Sequence, residues 1–119
     1  FMNNKKIYNI IPGKQIEDSS IIDSIFSLLD SVSFSEWIEL NEDIYNEVFF
    51  KMYEEFYVMY LDPAGIIKRL YISGREEIVA FMKERINYRH SEGIDIAICT
   101  KQINNAVICN HDGQVFLLL

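Results

Sequence analysis

The chain has 119 residues, half of them hydrophobic, 13% aromatic and 24% charged, with a formal net charge of −7 at pH 7. That length and composition suit a single domain over residues 1–119 that buries roughly two-thirds of its extended surface, and they exclude a disordered chain. The longest uninterrupted apolar run, residues 56–61, falls far short of the roughly 20 residues a membrane-spanning helix needs.

Phe1 to Lys6 lacks the apolar stretch of a secretion signal, and Phe1 ahead of Met2 is set aside as a remnant, so a cytoplasmic location is expected. Residues 7–11 read as a short extended segment before a Pro12-Gly13 turn. Over residues 20–32 the positions Ile21, Ile22, Ile25, Phe26, Leu28, Leu29 and Val32 make one helical stripe, with Ser20 and Asp23 resembling a capping box. Residues 41–53 are ambiguous: Ile44, Val48 and Met52 follow a helical step, whereas Val48, Phe50 and Met52 suit a strand, and helix is preferred.

Two strands follow at residues 56–61 and 66–72, joined by Asp62-Pro63-Ala64-Gly65, which suits a type I turn. Ser73 and Glu76 then form an S-x-x-E box opening a helix with Ile78, Val79, Met82 and Ile86 on its buried face, and Gly93 follows its end. A meander closes the chain, with strands at 94–100, 106–110 and 115–119 linked by Asn104-Asn105 and Asp112-Gly113. The expected fold is α+β, an antiparallel sheet of about five strands with about three helices in the order α-α-β-β-α-β-β-β. The last strand alternates with nothing polar, so both its faces need cover, from helices or from a second copy in a homodimer.

Cys99 and Cys109 fall in neighbouring strands. If Thr100 faces Cys109 across the Asn104-Asn105 turn, the two thiols point to opposite sides of the sheet, and both are expected to be free and buried. Cys109 and His111 share a strand face and Asp112 follows, but a hairpin ending in Asp-Gly accounts for those residues without thiol catalysis. Two Cys and two His with no metal-ligand spacing, and five scattered glycines, give no reason to expect a metal, a nucleotide or another cofactor, and no residue is nominated as catalytic. The aromatic group Phe49, Phe50, Tyr53, Phe56, Tyr57 and Tyr60 is read as core: with Lys51 against Glu47, Glu54, Glu55 and Asp62, it lacks the cations that direct nucleic-acid binding requires.

Charge is unevenly distributed. Glu76 and Glu77 at the start of the later helix, and Lys83, Arg85, Arg89 and His90 towards its end, complement the helix dipole and need no further meaning. Residues 15–50, by contrast, hold nine acids and not one Lys, Arg or His. Residues 1–62 carry 12 acids against 4 bases, a net of −8, while residues 63–119 carry 6 against 7, a net of +1. A solvated face that keeps the protein soluble accounts for this, and so does a surface that steers and holds a basic protein partner, with Trp37 as aromatic anchor.

A small acidic α+β chain with Trp37 after its first helix, an aromatic strand pair, and a closing meander at residues 94–119 bearing Cys109-Asn110-His111-Asp112-Gly113 at its last turn resembles the immunity proteins of bacterial polymorphic-toxin and contact-dependent inhibition systems. The resemblance implies a stoichiometric inhibitor that covers the active site of one toxin, often a basic nuclease, and it carries over no individual residue role. On the residues themselves, the expected partner-binding set is Glu36, Trp37, Glu39, Glu42, Asp43, Glu47, Glu54 and Glu55. Two alternatives stay open: a phage or mobile-element inhibitor of a host defence nuclease, and a small-molecule-binding or enzymatic domain with a sheet-helix pocket formed by Tyr88, Arg89, His90 and His111.

Overall fold

The continuous apolar run of residues 56–61 is too dense for a strand with one wet face, and it lies in the interior of the sheet. The computed structural model describes residues 11–31, 38–40, 51, 53–62, 65, 68–85, 95–109 and 115–118. In chain order the described elements are β1 (Lys14–Ile16), α1 (Ser19–Ser31), β2 (Ile38–Leu40), β3 (Glu55–Leu61), β4 (Lys68–Gly74), α2 (Arg75–Arg85), β5 (Ile96–Thr100), β6 (Ala106–Cys109) and β7 (Val115–Leu118). The strands form one antiparallel sheet in the order β1-β4-β3-β5-β6-β7-β2.

Each face of the sheet carries a helix. Phe56 and Val58 of β3, Ile96 and Ile98 of β5, Val107 and Cys109 of β6, and Val115 and Leu117 of β7 join Ile78, Phe81 and Met82 of α2 in one buried cluster. Tyr57, Met59, Leu70, Cys99 and Ala106 face the other way and pack with Ile25 of α1, flanked by half-buried Ile21, Ile22, Phe26, Leu28 and Leu29. β3 and β5 are therefore covered on both faces, which is why their sequences show no polar alternation.

The connections follow from this layering. β4 and β5 lie on either side of β3, so α2 carries the chain across one face, while the chain from β1 through α1 to β2 joins the two opposite edges. The β3–β4 hairpin forms as expected, closed by the Gly65 amide donating to the Asp62 carbonyl at 2.9 Å, with Gly65 at a left-handed φ of 71°.

Several expectations are corrected. The sheet has two further strands, β1 and β2, each of three residues, which the expected order α-α-β-β-α-β-β-β lacked; the described elements run β-α-β-β-β-α-β-β-β. The helix expected at 41–53 and the extended segment at 7–11 lie almost wholly outside the described residues, Ile11 itself being a buried bend residue. The first helix is capped by Asp18, not Ser20: its carboxylate accepts from the Ser20 amide at 3.1 Å, the Ser20 hydroxyl at 2.7 Å and the Ile21 amide at 3.2 Å. The second is shifted by one residue from the S-x-x-E reading, since Glu77 accepts from the Gly74 amide at 3.1 Å and Ser73 is a buried strand residue donating to the Pro12 carbonyl.

The β5–β6 connection also differs. Cys109 pairs with Ile96, not Thr100, because the turn spans residues 101–105, with Ile103 at a left-handed φ of 55° and its amide donating to Thr100. The parity is preserved, so Cys99 and Cys109 do point to opposite faces, and both are free and buried.

Candidate partner-binding surface

The expected partner-binding residues divide into three groups. Glu36, Trp37, Glu42, Asp43 and Glu47 lie outside the described residues. Glu39 occupies the middle of edge strand β2, paired with Phe116. Glu54 and Glu55 are exposed at the start of β3.

Sheet register fixes the separation of Glu39 from Glu55. The row through Glu39 runs by way of Phe116, Ile108 and Ala97 to Met59, which is four strand spacings away and four residues along β3 from Glu55. In a flat sheet that is about 23 Å between backbone positions. Those acids cannot grip one side chain together, but a standard interface of about 800 Å² per partner is wide enough to take in both.

Around Glu54 and Glu55 the surface has mixed sign. Glu54, Glu76 and Glu77 line an open recess of about 290 Å³ at the start of α2, together with Gly74 and Arg75. The Arg75 amide donates to the Glu54 carbonyl at 2.8 Å and its guanidinium to the Lys51 carbonyl at 3.0 Å, which joins the start of α2 to the chain entering β3. Lys101 lies 3.7 Å from Glu55 with its ammonium 5.0 Å from the centre of the Tyr57 ring. Their side chains are 41% and 59% exposed, so water screens the pair and its contribution is small.

Helix α1 presents an acidic surface with no cation of its own. Asp23, Ser24, Ser27 and Asp30 are exposed along its outer side, Glu17 is exposed just before it, and the last turn has no basic residue. Asp30 stands in that last turn, where the negative end of the helix dipole disfavours an acid. Asp23 and Asp30 belong to the same base-free stretch as the expected interface but were not included in it; that stretch was the signal that could have found them. The hydrogen bonds from the Ser20 hydroxyl and the Ile21 and Ser20 amides hold the Asp18 carboxyl below its ordinary range.

Of the Cys109, His111 and Asp112 group, only Cys109 lies among the described residues. Burial pushes the Cys99 thiol up to about 12, and burial together with the nearby Asp95 raises Cys109 as well, which disfavours the thiolate at both. The Cys109 sulfur instead meets Met82 at 3.4 Å inside the α2 layer. Tyr88, Arg89, His90 and His111 lie outside the described residues, and where the sheet-α2 junction is described it is filled by Phe56, Val58, Ile78, Phe81 and Met82.

Among the described residues no group of three or more His, Cys, Asp or Glu could hold a metal, and no helix is long and apolar enough to cross a membrane. No family model, curated protein or solved structure matches the chain.

Proposed function

We propose that the protein is a stoichiometric protein-binding inhibitor, an immunity protein that neutralises a basic, nuclease-like toxin through an acidic surface. The observation that carries this reading is the base-free stretch of residues 15–50 with its nine acids. Asp30 adds to it, because an acid kept against the helix dipole costs local stability that a merely solubilising residue could avoid elsewhere. The described acids, on α1, at Glu39 and at Glu54 and Glu55, spread over a wide area, which suits steering and covering a cationic active site better than enclosing a small ligand.

The experiment is affinity capture from lysate of the source organism at low and moderate salt, followed by titration of the captured protein. A basic partner, bound one to one, released by salt and losing its nuclease activity at equimolar inhibitor, supports the proposal. A captured host defence nuclease in place of a toxin transfers the same mechanism to the mobile-element alternative. Capture that is indifferent to salt, or a partner whose activity survives saturation, overturns it.

A further inference from the structure

We draw no further inference here: the strongest candidate, the open recess at the start of α2 lined by Glu54, Arg75, Glu76 and Glu77, is an acidic cluster that belongs to the surface already described, and nothing else in the structure points to a ligand for it.

Discussion

Gly13 shows how one residue can fix an edge of the sheet. It adopts a φ of 100°, and a Cβ there would run into the Ile72 carbonyl and the Ser73 hydroxyl, the group that donates to the Pro12 carbonyl. Both the backbone conformation and the space demand glycine. Gly13→Ala is expected to cost about 2 to 3 kcal/mol in urea unfolding with an unchanged m-value, and a loss below about 0.5 kcal/mol would show that this corner relaxes freely. Asp18 works through charge. Its carboxyl is held below the usual value in the folded state, so its contribution is fully present above the unfolded pKa and disappears as pH falls through the folded one. Asp18→Ala should therefore lower the unfolding midpoint near neutral pH, with the gap from the parent protein closing in acid; a gap independent of pH would mean that the cap acts without its charge. The Pro12-Gly13 turn and a helix start near Ser20 were legible in the sequence, but which side chain caps was not, because Asp18 and Ser20 are both good capping residues and only the hydrogen bonds of the first turn separate them.

Among the elements, β7 resolves a question raised by its own composition. An all-apolar closing strand needs cover on both faces, and one of them is covered from within the chain: Val115 and Leu117 are buried towards α2, while β6 and β2 pair with the strand's two edges. Leu117 is 2% exposed whereas Phe116, facing the other way, is half-buried. Leu117→Ala should cost about 2 to 5 kcal/mol and Phe116→Ala clearly less, and thermal or urea unfolding that reversed this ranking would refute the assigned faces. On α1, Asp30→Lys replaces an unfavourable dipole interaction by a favourable one and should raise stability by about 0.3 to 1 kcal/mol, with no gain meaning that the dipole is screened there. The longer elements were readable because burial imposes a period on them: α1 and α2 show their stripes and β3 its dense apolar run. Lys14–Ile16 and Ile38–Leu40 were missed because three residues are too few for alternation to show, and they are strands only through pairing with β4 and β7. The β5–β6 turn was misplaced for a related reason. Asn104-Asn105 has the chemistry of a tight turn, yet the left-handed position falls on Ile103, whose side chain packs against the α1-side core and so offsets a conformation that β-branched residues disfavour.

For the whole molecule the governing feature is the division of charge, −8 over residues 1–62 against +1 over the remainder. That asymmetry was fully visible in the sequence, but its placement was not, because acids close in sequence end up on an edge strand, on α1 and at the start of β3. With Glu39 and Glu55 about 23 Å apart in a flat sheet, the proposed reading requires these acids to act as a field and not as a single binding point. Sites separated by more than about 10 Å make nearly independent contributions, so the logarithmic losses from distant reversals should add. Reversing Glu36, Glu39 and Glu42 to Lys together should leave folding intact, weaken partner capture by more than about tenfold at low salt and flatten its salt dependence. Glu39→Lys and Glu55→Lys, on positions about 23 Å apart in a flat sheet, should together show roughly the sum of their single-variant losses. Capture unchanged by the triple reversal would remove the proposed surface altogether. If instead one reversal produced the whole loss, the contact would be a point anchor, and the search would move from a broad acidic face to the neighbourhood of that residue.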